Sequence, residues 1–276
     1  MNNEVYKIGL SIVGTLIPTV IIFVYLLKNF KFARYKYRWI LYLVICGVFT
    51  AGTAPYLTDW LDSFWKAFLK SAHIYNKTTY NFVYATFCVG VSEELFKCSF
   101  AAMAAIIVLD MDSRYDALFC GAVTALGFAI TENMSYIYKY GISTAVTRSV
   151  TAVPLHVMLG IIFGYYLAKM GFYYYKGFQY KGYRRKFFVE YFHGLAWVIL
   201  VHGLYDFFLF QKVAEMEMLN KILVIMVYVA VIRLVYRVSK TDKKYIKVND
   251  DIPVTSDDES AEEPQIEESV TEEIQN

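Results

Sequence analysis

Charge is what this sequence has little of. Only 19% of its 276 residues are Asp, Glu, Lys or Arg, 57% are hydrophobic and the mean hydropathy is +0.38. That balance excludes an ordinary soluble domain and makes an all-α, polytopic transmembrane bundle the expected fold class. Cysteine is sparse as well. Cys46, Cys88, Cys98 and Cys120 all fall in apolar runs and none shows CxxC spacing, so they read as reduced packing residues and not as disulfides or zinc ligands. No HExxH is present, so no local motif demands a metal. No internal repeat or pair of inverted halves is visible. The first apolar run lacks a basic leader and a small-x-small cleavage site, which makes it an uncleaved helix in place of a signal peptide.

What is present is a series of apolar runs. Runs at 8–27, 39–57, 80–109, 117–138, 149–167, 191–210 and 219–236 give about seven spans. Basic connectors at 28–38 and 169–186 belong on the cytoplasmic side by the positive-inside rule, which sets the N-terminus outside and the C-terminus inside. Between the second and third runs, Leu61, Phe64, Trp65, Phe68, Leu69 and Ala72 form one helical stripe opposite Asp62, Lys66 and Lys70. This spacing predicts an amphipathic interfacial helix over 59–76. From Asp250 to Glu273 there are 11 acidic residues and no basic one, so the rest of the chain carries +13 beneath an overall +2. The expected organisation is 1–79 (two spans and the interfacial helix), 80–210 (a four-span core), 211–247 (a last span with a basic flank) and 248–276 (a disordered acidic cytoplasmic tail).

Ionisable residues inside the spans are few and unevenly placed. Glu93 and Glu94 lie near the middle of the third, and a central charge costs roughly 2.5–3.5 kcal/mol on insertion scales, so such residues face a protein interior or water. Counted from span midpoints at about 1.5 Å per residue, His156 and His202 fall within roughly 3 Å of that depth. Glu132 and Asp206 fall roughly 7–8 Å further outward on the same count. Four successive spans thus bring their polar groups to one slab, as a common site requires. Glu93 and Lys97 are i,i+4 and share a helix face, while Glu94 points about 100° away. Phe128 stands one turn from Glu132, and His202 and Asp206 repeat the i,i+4 spacing, which lets an Asp fix the histidine's tautomer. Gly121, Gly127, Gly160 and Gly164 favour close helix packing, and Pro154 favours a kink beside His156. His73 and His193 receive no role, and Asn76-Lys77-Thr78 matches a glycosylation sequon by a pattern frequent by chance.

Four blocks in order, Glu93-Glu94-Leu95-Phe96-Lys97, Gly127-Phe128-Ala129-Ile130-Thr131-Glu132-Asn133, His156 with Gly160 and Gly164-Tyr165, and His202-Gly203-Leu204-Tyr205-Asp206, resemble the PrsW family of intramembrane proteases, distant relatives of the CAAX-prenyl endopeptidases. The resemblance covers roughly residues 80–210. It implies an endopeptidase of the cell membrane that cuts single-pass membrane proteins, such as an anti-sigma factor, near the extracytoplasmic side. The catalytic candidates are Glu93, Glu94, Glu132, His156 and His202, supported by Lys97, Phe128, Asn133 and Asp206. Either Glu93 or Glu94 would activate a water, with the imidazoles donating to the oxyanion. In that version no cofactor is needed. The alternative is Zn²⁺ held by His156, His202, Glu93 or Glu132. The expected partners are the lipid bilayer and a single-pass substrate, with no nucleic acid. An ion-coupled transporter and a non-catalytic scaffold are the readings from other classes, since midplane carboxylates also mark ion paths.

Overall fold

The structure, a computed structural model, describes Val24 and residues 37–108 and 113–241. The expected first span and the acidic tail lie outside the described residues. Helix α1 runs Tyr37–Ser71. Asn76 then caps α2 (Lys77–Val83), its side chain accepting from the amides of Thr78 and Thr79. The helical path continues through a π-helical stretch (Tyr84–Gly90) into α3 (Val91–Met103) and a second π-helical stretch (Ala104–Val108). Ser113 and Asp116 form a reciprocal capping box that starts α4 (Arg114–Tyr140). Gly141, at φ +84°, ends α4 in a conformation that favours glycine. Short α5 (Ile142–Val150), then α6 (Ala152–Gly177), α7 (Lys181–Gln211) and α8 (Ala214–Thr241) complete the order.

Among the described residues five stretches are long and apolar enough to cross a membrane: Trp39–Ser71, Arg114–Tyr140, Val146–Gly177, Lys181–Gln211 and Ala214–Val238. They correspond to five of the expected spans, and the interrupted run α2–α3 occupies the place of another. Helix α4 is the centre of the bundle, buried without a break from Ala117 to Ala129. Its most extensive partner is α6. A Cβ at Gly121 would run into the Gly160 carbonyl oxygen, and one at Gly160 into that of Gly121, so these two glycines let the backbones touch. Gly127 serves a different neighbour, α1, where its partner surface is the backbone of Val44. All four cysteines are buried and free, as packing residues should be.

One expectation fails. No separate interfacial helix spans 59–76, because α1 continues unbroken to Ser71. Part of its apolar stripe finds protein: Leu69 is buried, and the Trp65 ring packs 5.5 Å from that of Phe87 in the first π-helical stretch, while Phe64 and Phe68 stay exposed. Asp62, on the polar side of this segment, accepts from Tyr80 at 2.8 Å and ties α1 to α2. Pro154 does accompany a break: the membrane-length stretch Val146–Gly177 is interrupted at Thr151 (φ −120°), and Pro154 stands in the first turn of α6, lacking the N–H that would carry the helix on from Val150. The basic connector expected at 169–186 is also mostly helix, since α6 and α7 extend to within a short turn of each other.

Candidate active site

The π-helical stretches on either side of α3 are wider turns that reset which residues face the bundle. The face they leave inward carries Glu94 and Lys97, only 3% and 4% exposed, with Glu93 beside them. Lys97 Nζ bonds Glu94 Oε1 at 2.6 Å and stands 3.6 Å from Glu93 Oε2. The i,i+4 pairing expected for Glu93 is therefore the looser one, and Glu94 is the charge-balanced carboxylate. Glu93 Oε2 is buried without a hydrogen-bond partner. Thr58 on α1 and Ser92 share a hydroxyl hydrogen bond that anchors α3 one residue before this pair.

Glu94 also binds His202 of α7, whose Nδ1 lies 2.7 Å from Oε1. A carboxylate accepts, so Nδ1 carries the proton and Nε2 is turned toward Glu93 Oε2, 3.7 Å away. Asp206 Oδ2 lies 3.5 Å from the same Nε2. The carboxylate that fixes the tautomer is Glu94, ahead of the Asp206 that the helical spacing favoured.

His156 of α6 is arranged in the same way. Its Nε2 donates to Glu132 Oε2 at 3.0 Å, and its Nδ1, left with a lone pair, accepts from Lys97 at 3.1 Å. The imidazoles of His156 and His202 meet edge to face, 5.1 Å between centroids. Phe128 lies 5.2 Å from the His156 ring and 4.1 Å from Lys97 Nζ. It closes the floor of the cluster and gives the ammonium an aromatic face, a different task from flanking Glu132. Asn133 points the other way, its amide donating to Ser149 at 3.0 Å. His73 and His193 lie outside the cluster, both exposed.

Arg148 of α5 went unnoticed in the sequence. Its guanidinium bonds Glu132 Oε2 at 2.6 Å and stacks 3.6 Å from the Tyr136 ring centroid. A signal for it existed. Arg148 is a cation at the turn between the fourth and fifth runs, on the side that the charge rule leaves poor in Lys and Arg.

Four carboxylates, Glu93, Glu94, Glu132 and Asp206, face two fixed cations, Lys97 and Arg148. When ionised they leave two negative charges in a low-dielectric interior, which two protons or one divalent cation would balance. One ligand atom each from Glu93, His156 and His202 lies within 4.8 Å of the others, a His₂Glu set of the kind zinc accepts. Each imidazole is backed on its far nitrogen by a carboxylate, as metal-ligating histidines commonly are. The residues thus fit a divalent metal, with Glu132 and Glu94 in the backing positions. Open grooves lined by Tyr173, Arg185 and Glu190 and by Lys66, Asn76 and Tyr80 sit at the ends of the bundle, away from this cluster.

A helical bundle with several membrane-length apolar helices around a buried carboxylate–imidazole cluster defines a multi-pass membrane protein with a polar centre inside the helices. The sequence profile of the family described as PrsW family intramembrane metalloprotease matches residues 36–235, and the chain belongs to that family. Among proteins named Protease PrsW, that of Oceanobacillus iheyensis is 32% identical over 130 residues, covering 46% of this chain and 55% of the other. That of Halalkalibacterium halodurans is 34% identical over 119 residues (42% and 50%), and that of Clostridioides difficile 32% over 132 residues (46% and 52%). The chain spans about half the length of these curated relatives. No solved structure matches it.

Proposed function

We propose that the chain is an intramembrane endopeptidase in which Glu93 activates the attacking water. The observation that carries this reading is the buried Glu93 oxygen without a hydrogen-bond partner, set beside two imidazoles while Glu94 and Glu132 are each held by a cation. A base must keep its lone pair available. Glu93 takes a proton from water as the water oxygen bonds to the scissile carbonyl carbon, and the carbonyl electron pair moves to oxygen. A doubly protonated His202 donates from Nε2 to that oxyanion, with Glu94 bracing Nδ1. Glu93 then returns its proton to the departing amine as the C–N bond breaks.

A metal-dependent form of the same reaction has its own support in His202 Nε2, which Glu94 turns inward; His156 Nδ1 would exchange its bond from Lys97 for the ion. Glu93, His156 and His202 would hold the ion. Bound there, zinc supplies a water of lowered pKa and a Lewis acid for the carbonyl. The substrate is a single-pass membrane protein, entering from the end of the bundle that carries α5. We take that end as extracytoplasmic, with about seven spans, N-out/C-in, and the acidic tail in the cytoplasm.

The test uses an epitope-tagged panel of single-pass membrane proteins co-expressed with the full chain. Wild type cuts at least one, and Glu93→Gln at equal protein level cuts none; cleavage by Glu93→Gln removes the assigned base. Metal analysis of protein purified without chelator, then activity with chelator and after zinc is restored, separates the two forms. Stoichiometric zinc needed for cleavage selects the second.

A further inference from the structure

We propose that Arg148, carried by the short helix α5, is a positioning residue that holds the His156 imidazole in its working orientation through Glu132. The inference rests on the endopeptidase reading above. Arg148 lies outside every motif that marks the site, on an element of nine residues between the turn at Gly141 and the start of α6. Its guanidinium nevertheless reaches the cluster, 2.6 Å from the same Glu132 oxygen that accepts from His156 Nε2 at 3.0 Å.

One oxygen thus takes both bonds, so the guanidinium sets where that oxygen sits and the oxygen sets which way the ring turns. The ring's remaining nitrogen, Nδ1, is the one directed to Lys97 and the interior. Without the arginine, the Glu132 side chain regains its rotamers and the imidazole loses the partner that defines its proton-bearing nitrogen. The stack on Tyr136 holds the guanidinium from its flat side. Its Nε has no acceptor, so the ion pair and that ring are the contacts that keep the group in place among the described residues. An arginine that merely stabilised the turn between α4 and α6 would have no reason to leave a buried N–H unmet in order to reach Glu132.

The experiment measures kcat and KM for the full chain in detergent micelles, using a single-pass protein from the panel that wild type cleaves. Arg148→Ala is expected to lower kcat about 10- to 100-fold, the range for removing a residue that orients a functional histidine, with KM changed less than about twofold. In a Glu132→Ala background the same substitution should change kcat by less than about twofold, because the link is already cut. Arg148→Lys, which keeps the charge without the planar stack, should recover part of the loss. Tyr136→Leu should show a smaller loss of the same kind, and together with Arg148→Lys it decides the matter if Arg148→Ala does not accumulate.

Wild-type kcat in Arg148→Ala, or in both of the milder variants, overturns the proposal. So does an equal loss with and without Glu132, or a loss confined to KM. Glu93→Gln run alongside keeps the two claims apart. Failure of wild type to cut any member of the panel removes the endopeptidase assignment and cleavage by Glu93→Gln removes the assigned base, whereas an active wild type and a dead Glu93→Gln beside an unimpaired Arg148→Ala remove only the role of Arg148.

Discussion

Two rows of side chains converge on the centre of this bundle, and each runs cation, carboxylate, imidazole. Lys97, Glu94 and His202 form one, and Arg148, Glu132 and His156 the other. They match in order and differ in setting. The first lies wholly inside the bundle, with side-chain exposures of 4%, 3% and 4%, whereas Arg148 and Glu132 keep 14% and 19%. The difference bears on what each row can do. A charge pair sealed from water has no solvent to replace a lost partner, so the first row belongs to the stability of the fold as much as to the site. The second is less enclosed, and Glu132 holds two partners, Arg148 and His156, so the loss of one still leaves the other and its arrangement can serve chemistry at smaller cost to folding.

The largest expected effect comes from breaking the sealed row. Glu94→Ala leaves the Lys97 ammonium without its closest partner and should cost about 3–5 kcal/mol of stability, the usual range for halving a buried ion pair. Thermal unfolding in detergent, together with yield from membranes, measures it. Joint replacement, Glu94→Leu with Lys97→Met, should recover part of that loss while leaving cleavage absent, since the ammonium and its closest carboxylate leave together and only the looser Lys97–Glu93 contact and the His202 Nδ1 acceptor are lost with them. If Glu94→Ala proves as stable as wild type, water reaches this row and the contrast between the two collapses.

Next in size is the same operation on the less enclosed row. Arg148→Ala should lower stability by less than Glu94→Ala does, because the Glu132 it abandons keeps its bond to His156 and is more exposed than Glu94. Its effect on kcat should nevertheless be pronounced. A loss of stability as large as that of Glu94→Ala would mean that the second row is structural too.

The two rows also differ in how far the sequence disclosed them. Glu94, Lys97 and His202 sit inside apolar runs, where a charge is costly enough to stand out, and depth counting placed them together before any coordinates. The pairing within the row is legible only in part: the i,i+4 pair of Glu93 and Lys97 is present at 3.6 Å, but Glu94 is the closer partner. Helical spacing offers Lys97 both Glu93, four residues before it, and Glu94, three before it, and only the orientation of α3 between its π-helical stretches decides for Glu94. A π turn leaves no mark in the hydrophobic pattern, because its extra residue is set by packing. Glu132 and His156 were visible for the same reason as the first row. Arg148 was not, since a cation at a helix end carries little penalty and reads as an ordinary solvated residue. The bundle and most of its long helices were legible from apolar length, while the path of α1 beyond residue 57 was not. A stripe of Leu61, Trp65 and Leu69 suits a membrane surface and a protein surface equally well, and only the facing Phe87 distinguishes them.

The smallest expected effect concerns the second carboxylate at His202. Asp206 shares the helix of His202 at the spacing that allows an Asp to steer a histidine, yet it stands 3.5 Å from Nε2, against 2.7 Å between Glu94 and Nδ1. The shorter contact fixes the tautomer, and the longer one adds mainly negative potential near the face of the ring that does the work. Asp206→Asn keeps the shape and removes that charge. Its kcat should fall less than about tenfold, well short of the loss from any variant that uncouples Glu94 from His202, and stability should move by under about 0.5 kcal/mol. Steady-state cleavage by Asp206→Asn and by Glu94→Gln in parallel gives the comparison directly. If the order is reversed, Asp206 is the residue that sets His202, and the likeness between the two rows is one of spacing without shared function.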